Sequence, residues 1–156
     1  MTIAIAVLEA LDAAPLPHLS LRPTSIFLRG DGTVAVADLA FAGALADPKN
    51  TRSGPLPSHE HIMYMSPEQA MNRPEIDRRA DLYTVGACLH AMLAGRDPYP
   101  RPENVMMLLV AIIQNAPEPL DASPALATVV LRAMHKDPAQ RYPSARAMID
   151  ALRTTT

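Results

Sequence analysis

Between His18 and Gly43 the sequence places a cation, two hydroxyls and a carboxylate around one small hairpin signal. Arg22, Thr24 and Ser25 precede the apolar run Ile26-Phe27-Leu28, and Asp38 sits just past a second run, Val34-Ala35-Val36. Arg29-Gly30-Asp31-Gly32-Thr33 joins the runs, and its glycines supply the positive φ that tight turns require. A guanidinium and hydroxyls flanking a lone carboxylate make a layout for handling phosphate. A second candidate is His59-Glu60-His61, whose imidazoles at i, i+2 are of metal-ligand type. No third or fourth ligand is evident, so this segment reads as a solvated loop and no metal is expected. Cys88 stands alone in an apolar helical stretch and reads as a small buried hydrophobe.

The elements that must position these groups are mostly helical. Apolar positions Ile3, Val7 and Leu11 recur every four residues, so "MTIAIAVLEALDAA" reads as an amphipathic helix from about Thr2 to Ala13, stopped by Pro15 and Pro17. It has no positive flank, and Glu9 and Asp12 interrupt it, which argues against a signal peptide. After the hairpin no strong period is visible from Ala40 to about His61, and Pro48, Gly54, Pro55 and Pro57 break what there is. A loop this long inside a compact domain is more often functional or mobile than neutral. "MSPEQAMN" predicts a short helix capped by Ser66 with Pro67 at its first position. "RRADLYTVGACLHAMLAG" is apolar almost all round and so belongs at the centre of a domain, with Gly95 as its stop. "RPENVMMLLVAIIQN", "SPALATVVLRAMHK" and "YPSARAMIDALR" predict three more helices, the last two capped by Ser123 and Ser144.

With 156 residues and 49% apolar composition the chain suits a single domain, residues 1–156, with one core. Its net charge of −2 and lack of a basic run argue against nucleic acid or an anionic membrane as partner. The longest apolar run, Val105 to Ile113, is far shorter than the ~18–20 residues of a membrane span.

Five stretches, in order, resemble one family. "HLSLRPTSI" is similar to the protein-kinase catalytic loop H-R-D-L-K-P-x-N-I, and "VADLA" to the end of the D-F-G strand. "YMSPEQA" resembles the A-P-E region, "DLYTVGACLHAMLAGRDPY" the central helix, and "DPAQRYPSARAMIDAL" the closing segment. The likeness runs from about residue 3 to residue 153 and is greatest to bacterial eukaryotic-like (Hanks-type) serine/threonine kinases. It implies a mainly α fold, a protein-kinase C-lobe-like helical domain with a small β-hairpin, the smaller N-terminal lobe being absent. About residues 38–68 would form an activation-segment-like loop. No glycine-rich loop is present, and the two lysines, Lys49 and Lys136, do not precede the hairpin. By family standards Met1 begins mid-domain, as in a natural truncation or a fragment.

The resemblance also marks departures at the chemical positions. Ser20 stands where the family has its catalytic aspartate, and loss of a positioned base typically costs ~10²–10⁴-fold. Ser25 replaces the asparagine that holds a second metal, Arg22 the lysine at the transferred phosphate, and His61 the threonine of G-T-P-x-Y. Leu19 replaces the arginine that pairs with an activation-loop phosphate, which lowers the expectation that Thr51, Ser53 or Ser58 is a regulatory phosphosite. Asp38 is kept, but one carboxylate holds Mg²⁺ weakly, so no cofactor is expected. Shape-bearing positions are retained: Glu68 and Arg141 match a buried ion pair, Asp81 the central-helix aspartate, and His18 the loop histidine.

These readings together predict a catalytically inactive, pseudokinase-like scaffold or regulator in the cytoplasm, working through a protein partner or self-association. The candidate partner-binding residues are Val105, Met106, Met107 and Leu109 on one helix, where nine successive apolar residues exceed one face, with Phe27 and Phe41 at the uncovered hairpin. The alternative is a phosphotransferase, or another nucleotide-using transferase, half completed by a separate smaller lobe supplied by another chain.

Overall fold

The computed structural model describes residues 1–37 and 59–155. In chain order these are α1 (Thr2–Ala13), β1 (Ile26–Leu28), β2 (Val34–Val36), α2 (His59–Met63), α3 (Pro67–Ala70), α4 (Arg79–Ala94), α5 (Val105–Gln114), α6 (Pro124–Ala133) and α7 (Ala145–Arg153). The expected mainly α composition with one small hairpin is what the chain adopts. β1 and β2 pair antiparallel, with Ile26 opposite Val36 and Leu28 opposite Val34.

Local chemistry sets the element ends. The side chains of Ser123 and Ser144 accept the backbone N–H of Leu126 and Ala147, satisfying donors that the first helical turn leaves open. Ser66 and Gln69 form a reciprocal capping box on α3. Gly95 ends α4 at φ +66°, a left-handed conformation that costs glycine nothing.

α4 is the hub of the core, buried without a break from Ala80 to His90. It packs against α1 and α6, while α1 also lies on β2 and α7. The contact with α6 is close enough to demand glycine at position 86. A Cβ there would stand 2.9 Å from Ala133 Cβ and 3.0 Å from Met134 Cγ. Overpacking of this kind costs about 1–3 kcal/mol, so Gly86→Ala is expected to lower the unfolding free energy by that amount, read as a lower urea midpoint at an unchanged m-value.

Four expectations need correction. The segment read as one long loop carries the helix His59–Met63, and His59 and His61 are partly buried on it rather than in a solvated loop. Five residues are too few to show a period, and the two buried ones, Ile62 and Met63, are adjacent. The helix predicted from Arg101 starts at Val105, because the Asn104 side chain caps Met106 N–H at 2.8 Å. The helix predicted to reach Lys136 ends at Ala133, and the Lys136 carbonyl is taken by Arg141 instead. The other long-loop residues, including Asp38, Phe41, Thr51, Ser53 and Ser58, lie outside the described residues.

Candidate active site

The first turn of α4 supplies the anchor of the His18–Ser25 loop. Asp81, 3% exposed, accepts the backbone N–H of His18 at Oδ2 and of Leu19 at Oδ1, both at 2.7 Å. Burial pushes its carboxyl above the ordinary range, and the two amide donors oppose that shift. His18 is fully buried. Its Nε2–H donates to the Ala37 carbonyl at 2.7 Å, leaving Nδ1 to accept the Ser20 N–H at 3.3 Å. The loop is thus tied to the residue next to Asp38 and to α4 at once.

Leu19 is held at φ +56°, a left-handed conformation that a branched side chain adopts at a cost of order 1–3 kcal/mol. Both of its backbone polar groups are engaged: the N–H on Asp81, and the carbonyl by Gln69 Nε2 at 2.7 Å. The strain persists because these two groups over-determine it. An Asp81→Asn change keeps the shape but turns an amide N–H₂ toward one of the two backbone donors. It is expected to destabilise the protein by about 1–3 kcal/mol and to speed exchange of the Leu19 amide proton, read by denaturation and hydrogen exchange.

Beyond Leu19 the loop presents Ser20, half-buried, and then the Arg22 guanidinium. Arg22 Nε donates to Thr24 Oγ1 at 2.9 Å and Nη1 to His61 Nδ1 at 3.1 Å. This fixes a cation and an imidazole, from the loop and from α2, on the same side of the site. Ser25 Oγ, 1% exposed, has no hydrogen-bond partner among the described residues. The described donors do not by themselves fit a magnesium ion: among the described residues no carboxylate hydrogen-bonds this hydroxyl, and Asp38 lies outside them. Among the described residues no cluster of three or more His, Cys, Asp or Glu side chains could hold a metal.

Below the site, Arg141 and Glu68 form a bidentate pair with both N···O distances at 2.7 Å. Arg141 also donates to the carbonyls of Arg79, His135 and Lys136, so all five of its N–H groups are used. The pair ties α3 to the segment before α7. Among the candidate partner-binding residues, Met106 and Met107 are each 63% exposed and Phe27 is 54% exposed, with Leu28 and Val110 exposed beside them. Val105 and Leu109 instead pack against the core.

Sequence reasoning missed two positioning residues. Gln69 both caps α3 and holds the strained Leu19 carbonyl. Arg78 donates to the carbonyls of Leu11, Ala14 and Pro15, clasping the end of α1. The S-x-x-Q pattern signalled the first role of Gln69; nothing local signals the second, or Arg78.

A family model described as the protein kinase domain matches residues 2–151. The tyrosine-protein kinase MasK of Myxococcus xanthus is 37% identical over 151 residues, 94% of this chain and 23% of that protein. A probable serine/threonine-protein kinase of Streptomyces coelicolor is 33% identical, covering 92% of this chain and 22% of its own length. The serine/threonine-protein kinase PknB of Mycolicibacterium smegmatis is 31% identical over 135 residues, 84% of this chain and 21% of that protein. The chain therefore spans less than a quarter of the length of these relatives. These findings overturn the expectation of a non-enzyme, since the relatives that cover most of the chain are named kinases. The expectation rested on the departures at Ser20, Arg22, Ser25, His61 and Leu19, and the relatives named as kinases outweigh it. Phosphoryl transfer proceeds through a loose transition state in which positioning and charge carry most of the catalysis. Among the described residues no helix is long and apolar enough to cross a membrane.

Proposed function

The chain belongs to the protein kinase domain family, and from that premise we propose that it is the larger-lobe portion of a phosphotransferase acting on protein hydroxyl groups. The nucleotide's glycine-rich loop and lysine would come from a smaller lobe outside residues 1–156. One observation carries the reading: the His18–Ser25 loop is locked on both sides, by Asp81 and by Gln69, with Leu19 held in a strained conformation. A loop that no longer positioned a reaction would have no use for that strain.

In this reading the Arg22 guanidinium, fixed by Thr24 and His61, faces the transferred phosphoryl group and offsets its charge. Ser20 orients the attacking hydroxyl through a hydrogen bond. It does not hold the proton, which leaves with the transferred phosphate or to water. The chemistry is consequently slow and rests on orientation and charge. The relatives' names support serine, threonine or tyrosine as the acceptor. The exposed Met106, Met107 and Val110 support docking of a protein acceptor, and Phe27 and Leu28 support contact with the smaller lobe.

The test is transfer of labelled γ-phosphate from ATP and Mg²⁺ to casein by the chain mixed with the smaller lobe of a bacterial relative. Transfer that disappears in Arg22→Ala supports the proposal. No transfer by either the wild type or a Ser20→Asp variant overturns it.

A further inference from the structure

Behind the ion pair, between α3, the C-terminal end of α5 and the Lys136–Pro138 turn, lies a cavity of about 270 Å³. Pro67, Met71, Ile113 and Pro138 form its apolar walls, and Glu68, Arg73, Lys136 and Asp137 contribute charged groups. Phosphoryl transfer as described makes no use of it.

Lys136 is placed there in an unusual way. Its Nζ donates to Tyr99 Oη at 2.7 Å and to the Ile112 carbonyl at 2.5 Å. Tyr99 Oη in turn shares a 2.8 Å hydrogen bond with Tyr83 Oη, and Nζ lies 4.7 Å from the centre of the Tyr99 ring. The charged groups around it do not favour an ammonium; the Tyr99 and Tyr83 rings, whose centres lie 4.7 and 6.0 Å from Nζ, favour one and only partly offset this. Glu68 is committed to Arg141, and the Asp137 side chain accepts the Ala139 N–H. Arg141 is the cation whose field reaches Nζ, and among the described residues Lys136 has no ion-pair partner. A neutral amine fits the same geometry. Two N–H bonds go to the two protein acceptors, and the remaining tetrahedral position holds the lone pair. Arg73, also on the cavity wall, has no ion-pair partner among the described residues either.

We propose that Lys136 is an acylation site, taking an acyl group from a small acyl phosphate whose phosphate is bound by Arg73. The Nζ lone pair forms a bond to the carbonyl carbon, and the bond from that carbon to the phosphate oxygen breaks. Inorganic phosphate departs, and the surplus proton on nitrogen passes to it or to water. The resulting amide retains one N–H, so at least one of the links to Tyr99 and Ile112 is lost. α5 packs on α2 and α3, so this loosens the support of the helices that carry His61 and Gln69. The acylation itself does not depend on phosphoryl transfer.

Burial, reinforced by Arg141, lowers the Lys136 amine to about 8. Near pH 7.5 its neutral fraction is then about 200-fold that of an ordinary lysine. The test incubates the folded chain with acetyl phosphate and follows acetylation of Lys136 by peptide mass spectrometry, with the same chain in denaturant as reference. At least about tenfold faster labelling in the folded chain is expected near pH 7.5, with its half-rise near pH 8. Arg73→Ala should lower the rate with acetyl phosphate but not with acetic anhydride, which has no phosphate to bind. Labelling no faster than in denaturant, a half-rise at ordinary lysine pH, or indifference of the acetyl phosphate rate to Arg73→Ala would each overturn the proposal.

Discussion

Glu68→Ala will destabilise the protein by about 3–5 kcal/mol, a large share of the ~5–15 kcal/mol that holds a domain together. The magnitude follows from what is left behind. Arg141 is 2% exposed, so removing the carboxylate strands a buried guanidinium that keeps its three carbonyl partners and loses its only ion-pair partner among the described residues. Urea denaturation reads the loss directly, and an effect below about 1 kcal/mol would mean that water reaches the guanidinium after all. Replacing both partners, Glu68→Leu with Arg141→Met, will not restore full stability. An exchange of a buried ion pair for apolar groups is often neutral, but here it also leaves the carbonyls of Arg79, His135 and Lys136 without their donor.

That pair illustrates what was legible in the sequence. Helix ends announced themselves through short-range chemistry: Ser66, Ser123 and Ser144 as caps, Gly95 as a stop, and prolines just inside helix starts. The all-round apolar character of "ADLYTVGACLH" pointed to a central helix, and that stretch is buried throughout. What failed was short or set by tertiary contact. α2 is too brief for a period, and the Lys136 end of the α6 segment leaves the helix where its carbonyl meets Arg141.

The site was legible in its residue types and illegible in its couplings. Ser20, Arg22, Ser25 and His61 could be placed by resemblance, but no spacing reveals that Arg22 reaches His61 across 39 positions or that Gln69 reaches Leu19 across 50. Substitutions read together as decay led to the expectation of a non-enzyme, which the relatives named as kinases overturn. In the fold Arg22 and His61 are hydrogen-bonded to each other, and the loop that carries Arg22 is anchored on Asp81 and Gln69.

The anchored loop makes Ser20 the position of greatest leverage. Ser20→Asp is expected to raise the rate of phosphoryl transfer by about 10²–10⁴-fold, the contribution of a positioned general base. The reason is preorganisation. The N–H of residue 20 is held on His18 Nδ1, and residue 19 is pinned on both sides, so a carboxylate introduced there starts in place. In the proposed reaction it would accept the proton of the attacking hydroxyl, which otherwise goes to phosphate or water. Ser20→Ala, by contrast, removes only one neutral hydrogen bond, worth about 0.5–1.5 kcal/mol, and should slow transfer by no more than about tenfold. The two variants, assayed side by side with saturating ATP and Mg²⁺, separate the roles. A large gain in the first with a small loss in the second places the rate limit on the missing base. Equal rates in all three proteins would mean that proton transfer does not limit the reaction, and that orientation by Arg22 and the smaller lobe sets its speed.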